Sequence, residues 1–309
     1  MTRLGEKIVE RTPVAGGRPY GLAWSPDGAL LAIGFEDRLR VEVLQANDLR
    51  TVLVPDMTWL QGEGTPAVTW ASDARGGVQL YAAGYARRSG GAPGTPNFVI
   101  RRWGDFGLGP ARDIPAARDA ISHLLPLPQG GLAFAAADPG WGRIAPDGSL
   151  VQAPAPPGGD FRNTSEWLAA SPDGQRVRFV LRPGTPALVF DGQSGQLTAD
   201  EGRDLIPARQ QSARLAVTDW QNRDRPRLNG QPLRLSEGEF SRSLAIMPRE
   251  DSFLLGTDTH LRLFDRTGRL IDQLPMPGTV WGVVAADGIA VARTWRRHHP
   301  LVRGDRPSA

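Results

Sequence analysis

Short apolar runs separated by turn-forming residues recur along the whole chain. Residues 20–35, YGLAWSPDGALLAIGF, show the unit clearly: an apolar run, a Ser-Pro-Asp-Gly turn, and a second apolar run. The arrangement returns at 66–85 (PAVTWASDARGGVQLYAAGY), 121–136 (ISHLLPLPQGGLAFAA), 166–181 (EWLAASPDGQRVRFVL), 242–257 (RSLAIMPREDSFLLGT) and 279–294 (TVWGVVAADGIAVART). The turns begin near Ser25, Ser72, Pro128, Ser171, Pro248 and Ala286. Their spacing is roughly 40 to 55 residues, except for about 77 between the fourth and fifth, which leaves room for one more, degenerate copy in 211–235.

Each unit continues with a third short strand, as at 39–44 (LRVEVL), 98–103 (FVIRRW), 187–192 (ALVFDG) and 261–266 (LRLFDR). A more polar fourth follows, as at 49–54 (LRTVLV), 149–154 (SLVQAP) and 269–274 (RLIDQL). Four strands of about five residues at a period near 40 make one blade of a β-propeller. The inner strands are near-continuously apolar, as strands packed on both faces are. No segment holds a helical period over ~12 residues. A generic β-sandwich would lack the super-period. The expected architecture is therefore all-β: a seven-bladed propeller over 1–295, with blades near 17–55, 64–115, 119–155, 161–200, 210–236, 241–276 and 278–295. The closing blade is expected to take its outer strand from residues 5–12 (Lys7 to Arg11, KIVER) and to be incomplete. Residues 89–94, SGGAPG, read as a loop insertion between the second and third strands of the second blade.

The segments GRPYGLAWSPDG (17–28), LAFAAADPGWG (132–142), DFR (160–162), LAVTDW (215–220), LNGQPLRL (228–235) and FSRSLAIMP (240–248) resemble a bacterial WD-repeat β-propeller. More narrowly, they resemble the WD-repeat region upstream of a caspase-like peptidase domain in long bacterial caspase-family proteins. The resemblance implies a regulatory, protein-binding module joined to or neighbouring such a peptidase. The chain departs from the family pattern in having no Trp-Asp dipeptide, its place being taken by Phe190-Asp191 and Phe264-Asp265, and no Gly-His.

Residues 296–309 break the pattern where a third strand of the closing blade is due. Residues 296–303 can be encoded so that the shifted frame reads Asp-Gly-Thr-Ile-Arg-Trp-Tyr, a sequence suited to that strand. The tail is therefore expected to be frameshifted, which the gene's codons decide.

Composition narrows the function classes. Among 309 residues there is no cysteine, which removes disulfides, thiolate nucleophiles and Cys-ligated metals. Glycine and proline make up about one residue in five, as in a turn-rich globular chain. The net charge is +3, but residues 293–309 carry five arginines against Asp305, leaving the rest of the chain at −1. The high pI thus comes from a short tail, and a nucleic-acid face on the folded body is not expected. No stretch approaches ~18 apolar residues and the N-terminus lacks a signal-peptide pattern, so a cytoplasmic location without membrane contact is expected.

Candidate chemistry is sparse. His123, His260, His298 and His299 are too scattered for a metal constellation, and His123 in an inner strand reads as structural. The Ser-Pro-Asp-Gly turns are not catalytic: Pro presets the turn, Asp caps it and Gly takes positive φ. Gly-rich stretches precede no helix and cannot cradle phosphate. No enzyme activity, metal or cofactor is expected. Trp24, Trp70 and Trp281 recur in first strands, where a large ring fills the gap between blades.

Residues that begin the innermost strands ring one mouth of a propeller channel. Here they include Arg18, Tyr20, Arg118, Arg162, Arg214, Arg242 and Trp281. Arg and aromatic residues carry interface energy through bidentate carboxylate pairing and ring burial, so the partner expected at this rim is an acidic peptide or protein loop. Pairing of these arginines with acids of adjacent blades is the competing expectation. The alternative function is a lactonase-type propeller hydrolase, which would instead line the channel with Glu, Asp, Asn and His around Ca²⁺.

Overall fold

The structure, a computed structural model, describes residues 4, 17–90, 95–137, 140–152, 168–171, 173–179, 187–199, 206–207, 215–286 and 289–295. Apart from one 3₁₀ turn at Asp105–Gly107, the regular structure of these residues is strand.

The first sheet runs β1(Pro19–Trp24), β2(Leu30–Phe35), β3(Val41–Gln45) and β4(Thr51–Leu53), in that order. The second holds β5(Leu60–Gln61), β6(Ala67–Ser72), β7(Val78–Ala83), β8(Arg87–Arg88), β9(Phe98–Trp103) and β10(Ala111–Ala117). In it β6, β7, β9 and β10 form the antiparallel body, and β8 pairs β9 at Arg87↔Phe98 and carries β5. The two-residue pairing of β5 with β8 involves residues 60–61 and 87–88, ahead of the expected insertion at 89–94, of which residues 91–94 lie outside the described ones.

The third sheet is β11(Ile121–Pro126), β12(Leu132–Ala136), β13(Trp141–Ile144) and β14(Leu150–Gln152). The fourth comprises β15(Leu168–Ala170), β16(Arg176–Phe179), β17(Leu188–Asp191) and β18(Leu197–Ala199), with β19(Ile206–Pro207) added to the other edge of β15. The fifth is slight: β20(Val217–Thr218), β21(Arg227–Leu228) and β22(Gln231–Pro232). The sixth is complete, with β23(Ser241–Ile246), β24(Ser252–Thr257), β25(His260–Asp265) and β26(Leu270–Pro275). The last is the hairpin β27(Thr279–Ala286) and β28(Ile289–Trp295).

Among the described residues, six sheets hold three or more strands and the seventh is this two-stranded hairpin. The expected outer strand at 7–11 and the tail 296–309 lie outside the described residues. Leu4 does sit at this seam: its N–H donates to Asp272 Oδ2 at 2.8 Å, and its side chain packs on the apolar cluster between β24, β25 and β27.

The sheets stand radially. Innermost strands adjoin in sequence, β1 beside β6, β6 beside β11, β11 beside β15 and β23 beside β27, and β27 lies beside β1, so the last sheet meets the first. Among the described residues, apolar clusters fill the gaps between neighbouring sheets except between the fourth and the fifth. Ala32, Val41 and Val43 of the first meet Val68, Trp70, Leu80 and Trp103 of the second. Trp141 of the third meets Phe179 and Phe190 of the fourth, with ring centroids 4.2 and 5.1 Å apart. Each such large side chain contributes about 1.5–3 kcal/mol by leaving water.

Glycine is required where sheets approach most closely. A Cβ on Gly34 would lie 2.3 Å from the Thr65 carbonyl oxygen of the next blade. The Ser-Pro-Asp-Gly turns behave as the sequence predicts. In the first, Asp27 Oδ1 accepts from Ser25 Oγ (2.5 Å) and from the Ala29 N–H, and Gly28 takes φ +70°. The second repeats this with Ser171, Asp173 and Gly174. The Ser25 and Ser171 hydroxyls, followed by backbone donors, hold both carboxyls below the usual aspartate range.

Candidate functional site

Four innermost strands begin with a β-bulge at the same place: β1 between Pro19 and Leu22, β11 between Ile121 and His123, β23 between Ser241 and Ser243, and β27 between Val280 and Gly282. A bulge sets two residues against one, freeing a side chain from the strand's in-and-out alternation and aiming it beyond the sheet. The residues so freed are Tyr20 with Gly21, Ser122, Arg242 and Trp281. Three belong to the arc where the sixth sheet, the hairpin and the first sheet meet.

Within that arc, Tyr20 is 48% exposed, Phe240 39% and Trp281 37%. The exposure of Trp281 corrects the expectation that it fills a gap between blades. Trp70 does fill one, buried with its indole N–H donating to the Ala23 carbonyl of the neighbouring blade at 3.0 Å, and Trp24 packs against the cluster formed by Leu22, Leu31 and Leu44. Trp281 lies one residue into the bulge and faces out.

Arg242 is held on every side. Its Nε donates to Asp258 Oδ1 at 2.6 Å, one terminal nitrogen donates to Asp258 Oδ2 at 3.2 Å, and the other donates to Asn222 Oδ1. Its guanidinium lies 5.6 Å from the Phe240 ring centre and 5.4 Å from that of Trp281. Arg18 meets Glu36 and Asp37 at 3.6 and 3.7 Å, and its backbone N–H donates to Asp37 Oδ1. Both arginines therefore find acids in their own blade, in the turn between its second and third strands. Arg118 stands exposed just ahead of β11. Arg162 and Arg214 lie outside the described residues. The structure thus brings Arg242 and Trp281 together, sets Tyr20 and Arg18 on the adjoining blade, and leaves Arg118 with another.

Arg293, missed by the sequence reading, locks the seam between the last sheet and the first. Its two terminal nitrogens donate to the Pro19 carbonyl at 3.0 Å and the Trp281 carbonyl at 2.9 Å, and it lies 4.4 Å from the centre of the Tyr20 ring. Burial pulls its pKa down to about 10, against the pull of Tyr20 and Glu36. It stands opposite Gly282, whose missing side chain gives it room, and that glycine was the only sequence signal available.

Elsewhere polar side chains bond to one another. Ser122 Oγ and His123 Nδ1 lie 2.8 Å apart in β11. In the sixth sheet Arg262 binds Glu239 through Nε at 3.0 Å and a terminal nitrogen at 2.5 Å, with Thr257, Ser236 and Gln273 completing the network. Burial opposes ionisation of Glu239, but the hydrogen bonds from Arg262 and Thr257 overcome it and hold the carboxyl down at about 2. Among the described residues, no three His, Asp or Glu gather in an arrangement able to hold a metal ion.

With this geometry established, solved structures offer a comparison. The chain is similar to the β-propeller domain of Cps50 (Swd1) from Myceliophteria thermophila, at 12% identity and a TM-score of 0.60, covering 90% of this chain and 92% of that one. It is also similar to the WD40 repeats of RRP9, at 14% identity and a TM-score of 0.60, over 91% and 88% of the two chains. A third likeness is to dihydro-heme d1 dehydrogenase NirN in complex with DHE, at 15% identity and a TM-score of 0.58, over 84% and 66%. No protein-family model and no curated protein matches the sequence. At these identities the likeness speaks for the fold, which is that of a WD40-type β-propeller.

Proposed function

We propose that the chain is a non-catalytic interaction propeller that presents one arc of its channel mouth to a protein or peptide partner. The observation that carries this reading is the set of bulges that lift Tyr20, Arg242 and Trp281 out of their strands at corresponding points. Phe240 joins them, and Asp258, Asn222 and two backbone carbonyls fix the guanidiniums in place. Rigid aromatic and arginine side chains already locked before binding lose little entropy on association. The lactonase-type alternative asks for acids and histidines at the channel, whereas this arc offers aromatic rings and arginines. The WD40 folds of the Cps50 and RRP9 structures add general support for a scaffold role.

In this reading β27 and β28 are the inner half of a seventh blade, residues 5–12 supply its outer strand, and 296–309 stand outside the ring. The module regulates a longer effector in the cytoplasm, and the resemblance of 17–28 and 240–248 to caspase-family WD regions names a caspase-like peptidase as that effector.

The test is capture by the folded protein. F240A/W281A is expected to lose a prey that wild type retains, while L108S, which alters an exposed residue of the second sheet's outer rim, keeps it. Equal capture by both variants sinks the assignment of the face.

A further inference from the structure

We infer that the corner of the mouth between the fifth and sixth sheets is a docking site for an acidic peptide segment, with Arg223 and Arg225 as the groups that meet its carboxylates. The inference rests on the interaction reading above and gives the partner a chemistry.

On this arc, the two arginines first expected to meet an acidic partner are already neutralised: Asp258 takes Arg242, and Glu36 and Asp37 take Arg18. Charge available to a partner must come from elsewhere. The connection after β20 supplies it. This loop is stitched to the start of β23: the Asn222 N–H donates to the Ser241 carbonyl at 2.9 Å, and the Ser241 N–H donates to the Arg223 carbonyl at 2.8 Å. The Ser241 hydroxyl bonds the Trp220 and Arg223 carbonyls as well. Asp219 and Asn222 take left-handed φ of +53° and +55°, which turns the loop over the rim.

Arg223 is thereby set one strand-pairing away from Arg242, and Asn222 donates no charge but fixes that arginine by accepting its hydrogen bond. Arg223 and Arg225 are both exposed and have no ion-pair partner among the described residues. Asp224 stands between them in sequence and, among the described residues, pairs with neither. Arg223 pairs with Ser241, which lies in sequence between Phe240 and Arg242, and the Arg242 guanidinium is flanked by the Phe240 and Trp281 rings. Two solvated guanidiniums beside an exposed aromatic pair suit a chain that carries carboxylates around an apolar or aromatic anchor. The free charges steer and orient, and the rings supply the buried contact.

The experiment uses the full chain and a fluorescein-labelled probe peptide, Glu-Glu-Glu-Trp-Glu-Glu-Glu, read by fluorescence anisotropy at low and high salt. Wild type is expected to bind with an affinity that falls as salt rises. R223E/R225E is expected to bind roughly tenfold more weakly. R87E/R112E reverses two exposed arginines of the second sheet and changes net charge equally, so it should match wild type. The inference is overturned if R223E/R225E binds as well as wild type, if R87E/R112E weakens binding as much, or if single-stranded DNA of equal charge competes as strongly as the peptide. F240A/W281A separates the two readings. If only that variant fails to bind, the mouth remains the interaction face and its acidic partner is lost. If only R223E/R225E fails, the acidic site stands and the aromatic platform is lost.

Discussion

The fifth and sixth sheets are neighbours built by opposite means. The sixth has four strands of six residues, a stacked Phe253–Phe264 pair at 5.2 Å, and a buried Arg262–Glu239 pair fully enclosed by hydrogen bonds. The fifth has three strands of two residues each, with ladders too short to define a sheet alone. What it keeps is apolar contact. Leu215, Val217, Trp220, Leu228 and Leu233 form one cluster with Leu244, Phe253, Leu255 and Phe264 of the sixth. A blade can lose its backbone ladder and hold its place in the ring when its neighbour offers a finished apolar face.

The largest effect is expected from removing the anchor of the finished blade. E239A strands a buried Arg262 without its counter-charge and should cost about 3–5 kcal/mol in thermal or denaturant unfolding. The same pair sets an acid limit. Because the folded pKa of Glu239, about 2, lies below its unfolded value, its contribution is complete above about 4.3 and is lost as pH falls through the folded value. Wild-type stability should therefore decline across that window, and the E239A profile should be flatter there.

Next, W220A empties the contact that holds the fifth sheet and should cost about 3 kcal/mol. Hydrogen exchange is expected to rise in β20–β22 far more than in β24; equal loss in both would show that the two blades unfold as one. G268A presses the same boundary from the other side. Its Cβ would sit 3.0 Å from Leu233 at φ +83°, for an expected loss of about 1–2 kcal/mol. The smallest change is N229G, which keeps the left-handed turn but removes the Oδ1 that accepts the Ala216 N–H. About 0.5–1 kcal/mol is expected in the melting midpoint, with no effect on the sixth blade.

Much of the fold was legible in the sequence because ladder and apolar pattern coincide. FLLGT, LRLFDR and RLIDQL map onto β24, β25 and β26, and FVIRRW is β9 itself. The fifth blade was legible only as a gap in the spacing, since LAVTDW and LNGQPLRL carry its packing residues but little strand. The site was less legible for a physical reason. An apolar run reports that a strand exists but not where an extra residue enters it, so Trp281 read as core although the bulge turns it outward. Arg242 was named, but its partner Asp258 sits 16 residues away across a turn and is not marked by any local pattern. Arg223 had no signal except exposure, which only the folded loop reveals.

The bulges also bear on how such a protein can change. A side chain in a regular inner strand is tied by alternation to the packing of two blades, so altering it disturbs both. Tyr20, Arg242 and Trp281 stand outside that alternation, and their replacement is expected to leave the register of β1, β23 and β27 in place. In the proposed reading, recognition can drift here while the fold stays under constraint. For a designer, these three positions together with Phe240 and Arg223 are where a randomised library would vary specificity without spending foldability.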